Sequence, residues 1–97
     1  MSTAVLVDVR ARLVDGRRMS DLSDDDERDI AQLLDAIDDE LVAIRDNATS
    51  VVDTLGRSPR EHLTVTLAHA ILHLEDNDIR DLVRTIWRRL IAEGILT

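Results

Sequence analysis

The most constraining feature of this chain is an apolar heptad seam between residues 30 and 55. Apolar residues recur there in alternating steps of four and three, which places them on one face of an α-helix. Ser23 and the acids after it are typical of a helix start, and Gly56 is typical of a helix end. The sequence therefore predicts one long acidic helix over about residues 23–55, roughly 48 Å in length. Its seam consists of Ile30, Leu34, Ile37, Leu41, Ile44, Ala48, Val51 and Leu55.

Two shorter helices are predicted after the long one. The stretch SPREHL offers Ser58 as an N-cap and Pro59 at the first helical position, which predicts a helix over about 59–74. The last helix is predicted over about 78–93, because Gly94 is a typical stop residue.

The predicted helix 59–74 is apolar on two sides, and such a helix is usually buried on both. The first side consists of Leu63, Leu67, Ala70, Ile71 and Leu74. The second side consists of Val65, Ala68 and Leu72. We therefore expect each side to be covered, one of them by a second copy of the chain.

The N-terminal segment 4–15 fits either a helix or a strand. The stretch AVLVDVRARLVDG alternates as a strand does, but Leu6, Val9 and Leu13 also have helical spacing, with Gly16 as a possible C-cap. A helix is favoured, because a lone strand in a helical chain needs a partner from another subunit. The predicted fold is thus an all-α small helical bundle with one domain over residues 1–97.

The charge of the chain is concentrated in one segment. The net charge is −8, and residues 21–40 hold ten acids and one base. All twelve basic residues are Arg, and there is no Cys. An acidic chain is repelled by phosphate unless its basic residues cluster. No stretch is long and apolar enough to span a membrane, so we expect a cytoplasmic protein.

Candidate chemistry is sparse. His69 and His73 have the i,i+4 spacing of a metal-binding pair, but no third ligand follows from the spacing, and His62 lies nearly two turns away from His69. The paired acids Asp24–Glu27 and Asp38–Glu40 are interpreted as solvated charge, since acid–base catalysis needs carboxylates in a cleft. We therefore predict no catalytic residue, no metal ligand and no cofactor.

Two stretches resemble known families. LLDAIDDELVAI followed by LGR is similar to the first helix of the AroQ-type chorismate mutases, an all-helical dimeric family. The substrate-binding cations of that family have no counterpart here, since the matching positions are Ala31, Ala48 and Pro59. IRDLVRTIWRRLIAEGIL resembles the recognition helix of winged-helix proteins, which implies DNA binding. The chain leaves no room for a wing after that helix, and the acidic turn LEDND precedes it.

The sequence favours a non-enzymatic interaction module that self-associates as a homodimer and binds another protein as an adaptor or inhibitor. The alternative is a small helix-turn-helix-like DNA-binding regulator. The last helix carries an Arg row around one Trp, residue types enriched at binding hot spots. The predicted partner-binding residues are Arg80, Arg84, Trp87 and Arg88. The predicted self-association residues are Ile30, Leu34, Ile37, Leu41, Ile44, Val51, Leu67 and Ile71.

Overall fold

The computed structural model describes residues 2–45 and 58–96, and it contains four helices within them. They are α1 (Ser2–Met19), α2 (Asp24–Arg45), α3 (Pro59–His73) and α4 (Asn77–Ala92). These residues include no strand, so the predicted all-α fold is confirmed. The predicted continuation of the long helix, with Ala48, Val51 and Leu55 in its seam, lies outside the described residues.

The N-terminal segment is a helix. Leu6, Val9 and Leu13 are fully buried at helical spacing, whereas Val7 is exposed. A strand would have placed Val7 and Val9 on the same face. The segment therefore has the helical period and not the strand period, because Val9 is buried while Val7 is exposed.

The predicted C-cap at Gly16 is wrong, because α1 continues past this residue to Met19. A Cβ atom on Gly16 would lie 2.6 Å from the Leu82 side chain and 3.1 Å from that of Ile79. The glycine therefore allows α4 to approach α1 closely, and its role is packing rather than capping.

The start of α2 and both ends of α3 and α4 lie within one residue of their predicted positions, whereas α1 extends beyond the predicted segment 4–15 at both ends. The Ser23 hydroxyl accepts a hydrogen bond from the Asp26 amide at 3.2 Å, and the Ser58 hydroxyl accepts one from the Glu61 amide at 3.2 Å. At the end of α4, Gly94 has a positive φ of 76°.

The residues after α4 close it in a Schellman motif. The Ile95 amide donates to the Leu90 carbonyl at 2.9 Å, and the Gly94 amide donates to the Ile91 carbonyl at 3.0 Å. Ile95 is buried against the core, which anchors this end of α4.

Ion pairs show that α1 and α2 are antiparallel. Arg17 near the end of α1 meets Glu27 near the start of α2, with Nε and Oε2 2.7 Å apart. Arg10 meets Asp38 further along both helices, with Nε and Oδ1 2.6 Å apart. The Asp38 carboxylate accepts this hydrogen bond and raises the pKa of Arg10.

Helix α3 runs antiparallel to α2. Arg60 at the start of α3 lies 3.3 Å from the buried Glu40 carboxylate near the end of α2. His69 lies 3.5 Å from Asp29 near the start of α2.

Helix α4 returns along α1 in the opposite direction. Asp8 accepts a hydrogen bond from Arg89, while Gly16 packs against Leu82. In the described residues, α1 and α3 each pack against α2 and α4, whereas α1 and α3 do not pack against each other, nor do α2 and α4. Residues 2–45 and 58–96 therefore form an up-down-up-down four-helix bundle, with α2 and α4 on opposite corners.

Candidate protein-docking site

Three of the four predicted partner-binding residues lie together, and one does not. Arg84, Trp87 and Arg88 occupy one stripe of α4, because positions three and four apart share a helix face. Arg80 is half-buried, and its guanidinium donates a hydrogen bond to the Asn77 side chain. Arg80 lies one turn before Arg84 on the same helix face, but it does not line the groove to which the other three residues belong.

The stripe on α4 forms one wall of a groove between α3 and α4, with a volume of about 410 Å³. The other wall consists of Ala68 and Leu72 from the second apolar side of α3, together with Ile71 from the first side. We call this surface the α3–α4 groove, and define it by Ala68, Ile71, Leu72, Arg84, Trp87 and Arg88.

The second apolar side of α3 is not covered within the single chain. Leu63 and Leu67 on the first side are fully buried, as expected. On the second side, Leu72 is 78% exposed and Val65 is also exposed. One chain therefore covers only the first side, and the cover of the second side by another molecule stays a prediction. Exposed aliphatic surface on a helix face is typical of an interaction surface.

The charges of the groove are cationic. Arg88 makes no hydrogen bond or ion pair with any part of the chain that the structure describes. Arg84 lies 3.9 Å from Asp81, but both side chains are largely exposed, and such pairs contribute little. The groove thus combines an apolar floor with at least one guanidinium available to an anionic group.

Arg89 points away from the groove, although it follows Arg88 directly. Its guanidinium donates a hydrogen bond to Asp8 on α1, and this bond lowers the pKa of the Asp8 carboxyl below its ordinary value. Consecutive residues on a helix point about 100° apart, so Arg88 lies in the groove while Arg89 faces α1.

The predicted self-association residues divide by burial. Four of them are in the core of the single chain and touch the neighbouring helices, namely Ile30, Leu34, Ile37 and Leu67. Three are half-buried, namely Leu41, Ile44 and Ile71. Val51 lies outside the described residues. Packing within one chain accounts for the first four, so only the half-buried ones present surface to another molecule.

A second concavity lies at the end of α2. It has a volume of about 340 Å³ and combines the half-buried Leu41 and Ile44 with the exposed Val42. Thr3 of α1 and Arg45 complete its lining. The last part of the heptad seam therefore remains partly accessible among the described residues.

His69 and His73 lie near the acids Asp25, Asp29 and Glu75 at the surface of α2 and α3. The rings of His69 and His73 stack with their centroids 4.3 Å apart and a tilt of 31°. His69 also contacts Asp29 across the α2–α3 interface. In residues 2–45 and 58–96, no group of three or more potential ligands could hold a metal ion.

The acidic segment is less solvated than its sequence indicates. Asp26 is buried and accepts hydrogen bonds from the Glu75 and Asp76 amides, each at 3.0 Å. Glu40 is buried beside Arg60, as described above. These two acids therefore join elements of the bundle, and the interpretation of the segment as solvated charge is wrong for both. Sequence spacing gave no signal for Asp26, because its partners lie 49 and 50 residues away.

Comparison with protein-family models, curated proteins and solved structures found no match to this chain. Within the described ranges, each helix is too short or too polar to cross a membrane.

Proposed function

We propose that this protein is a non-enzymatic interaction module that docks another protein in the α3–α4 groove. The observation that carries the proposal is the position of Leu72, which is 78% exposed beside Trp87 and Arg88. Within the described residues Arg88 has no ion-pair partner. Trp and Arg are enriched among the residues that dominate binding energy at protein interfaces. The exposed Leu72 adds apolar surface beside them.

The groove supports binding rather than catalysis. Its lining offers apolar contacts and guanidinium groups, but none of the described lining residues is a nucleophile or a general base. The α3–α4 groove would therefore hold a ligand without reacting with it.

The proposal includes self-association through the concavity at the end of α2. Leu41 and Ile44 continue the heptad seam beyond its buried part, and the exposed Val42 lines the same concavity. A second copy that packs there would remove these apolar side chains from water.

The docking proposal is tested by affinity capture from a lysate of the source organism, with quantitative mass spectrometry. Leu72→Asp places a charge at the centre of the exposed apolar side and should abolish retention of the partner. The matched control is Met19→Asp, because Met19 is 89% exposed at the end of α1 and outside the groove. Both variants should keep the thermal midpoint of the wild type, since both positions are exposed.

The same partner proteins should be retained by the wild type and by Met19→Asp, and lost with Leu72→Asp. Equal retention by both variants would contradict docking in the groove, as would the absence of any protein above the bead background.

DNA binding is the competing function for the same Arg residues. A mobility-shift titration with random duplex at about 50 mM salt would register even a non-specific DNA-binding protein. We expect no shift at low micromolar protein, because the groove offers only Arg84 and Arg88 among apolar side chains, whereas DNA affinity depends on many simultaneous phosphate contacts. A shift that Arg84→Ala and Arg88→Ala abolish would replace the proposal with the DNA-binding one.

A further inference from the structure

We infer that the occupant of the α3–α4 groove is an acidic amphipathic helix of another protein. This inference rests on the proposed function and adds the chemical class of the partner. Three properties of the groove lead to it: its shape, its charge and its mismatch with the other surfaces of this chain.

The shape fits a helix. Along α3, the steps between Val65, Ala68 and Leu72 are three and four, so these residues form one straight apolar stripe. The stripe spans two helical turns, or about 10 Å. Ala68 and Leu72 of this stripe line the groove, and the exposed Val65 extends the apolar surface by one turn beyond it. A helix with apolar residues at i, i+3, i+4 and i+7 covers a stripe of this length.

The positive charges of the groove are spaced to match carboxylates on a docked helix. Arg84 and Arg88 are one helical turn apart on the α4 wall, about 6 Å along the axis. Acidic residues four positions apart on a docked helix have the same spacing. Each guanidinium can then bind one carboxylate, and Arg88 has no competing partner in the described part of this chain.

A second copy of the chain does not fit this groove. A two-fold contact through the groove would bring the Arg84 and Arg88 pairs of both copies together, and like charges repel. The outer face of α2 is acidic, but Val42 is its only large apolar residue that is exposed. That face therefore supplies the charge without the apolar side chains that the groove floor requires.

The overall negative charge does not prevent the binding of an acidic helix. The charge is concentrated in residues 21–40, which lie mainly on α2, at the corner of the bundle opposite α4. Neighbouring helix axes in a bundle lie about 8–10 Å apart, so helices on opposite corners are separated by more than this. The Debye length is about 8 Å at physiological ionic strength, so the charge of α2 is partly screened at the α4 wall of the groove.

Trp87 provides a direct measurement, because it is the only Trp and the chain has no Tyr or Phe. The probe is a synthetic helical peptide of about 18 residues with Leu at i, i+3, i+4 and i+7 and Glu along both flanks. The control peptide has the same Leu face and Lys in place of every Glu. Each peptide is titrated into the full chain, and the emission spectrum of Trp87 is recorded.

We expect the Glu peptide to shift the Trp87 emission with saturation, and the Lys peptide to bind about tenfold more weakly or not at all. Arg84→Glu combined with Arg88→Glu should reverse this preference. The control is Arg18→Glu combined with Arg28→Glu, which changes the net charge equally at exposed positions outside the groove and should keep the wild-type preference.

The outcomes separate the two proposals. Equal binding of both peptides would overturn the acidic class of the partner and leave docking in the groove supported. Binding of neither peptide would overturn the inference, while the capture experiment with Leu72→Asp still decides the proposed function. A saturable Trp87 shift with a random DNA duplex, stronger than with the Glu peptide, would also overturn it.

Discussion

The buried acid Asp26 shows how a single residue stabilises this bundle. Asp26 lies in the first turn of α2, yet its carboxylate accepts two amide hydrogen bonds from the turn between α3 and α4. Hydrogen bonds to a charged acceptor are stronger than those between neutral groups. A single side chain thus connects the start of the second helix to the last helical hairpin.

Asp26→Ala should lower the free energy of unfolding by about 2–4 kcal/mol, because it leaves two amides without their acceptor. Urea denaturation followed by circular dichroism measures the change. Asp25→Ala is the matched control, since Asp25 is largely exposed on the same turn, and it should change stability by less than about 0.5 kcal/mol. Equal effects of both substitutions would contradict the role of Asp26.

Asp8 should make the stability of the bundle depend on acid pH. Its pKa in the folded protein is lowered, first by the hydrogen bond from Arg89 and further by the contact with Arg12. A lowered pKa means that the contribution is present above the unfolded value of about 3.9 and is lost as the pH falls through the folded value.

The test compares unfolding free energies from pH 5 to pH 2 for the wild type, Asp8→Asn and Asp15→Asn. The wild type and Asp15→Asn should lose stability more steeply than Asp8→Asn, because Asp15 is exposed and forms no ion pair in the described residues. Parallel curves for all three proteins would show that the Asp8–Arg89 contact does not contribute.

At the scale of elements, the packing of α4 on α1 depends on the absence of a side chain at residue 16. Gly16 costs α1 helix propensity, about 1 kcal/mol relative to Ala. In exchange, the side chains of Leu82 and Ile79 occupy the space where its Cβ would lie.

Gly16→Ala should change the free energy of unfolding by less than about 1 kcal/mol. The gain in propensity offsets a shift of the flexible end of Leu82, which costs about 0.5–1.5 kcal/mol. Gly16→Leu should destabilise by about 1–3 kcal/mol, because the larger side chain forces α1 and α4 apart. Asp15→Leu at the adjacent exposed position is the control. Tolerance of Gly16→Leu equal to that of Asp15→Leu would contradict close packing at this crossing.

At the scale of the whole molecule, the remaining question is which apolar surface pairs two copies. Ile37 is fully buried in the core of one chain, so Ile37→Asp should unfold the protein. Val42 is exposed next to Leu41 and Ile44, so a charge there should affect association and leave the fold intact.

Sedimentation equilibrium at micromolar concentration should give about twice the chain mass for the wild type and one chain mass for Val42→Asp. Val7→Asp is the matched control, because Val7 is similarly exposed on α1 and outside the concavity, and it should remain dimeric. A wild type that is monomeric throughout this range would contradict self-association.

Local sequence signals predicted α3, α4 and the start of α2, with N-caps at Ser23 and Ser58 and a stop at Gly94, because caps and periodicity act over a few neighbouring residues. They left segment 4–15 open between helix and strand. The sequence also placed Arg84, Trp87 and Arg88 on one stripe of α4. Only the tertiary structure decided that Leu72 of α3 lies across from them and stays exposed. It also decided that Asp26 is buried at a distant turn. Such features depend on which helices become neighbours, and that choice is made by the packing of the whole chain, which no local pattern encodes.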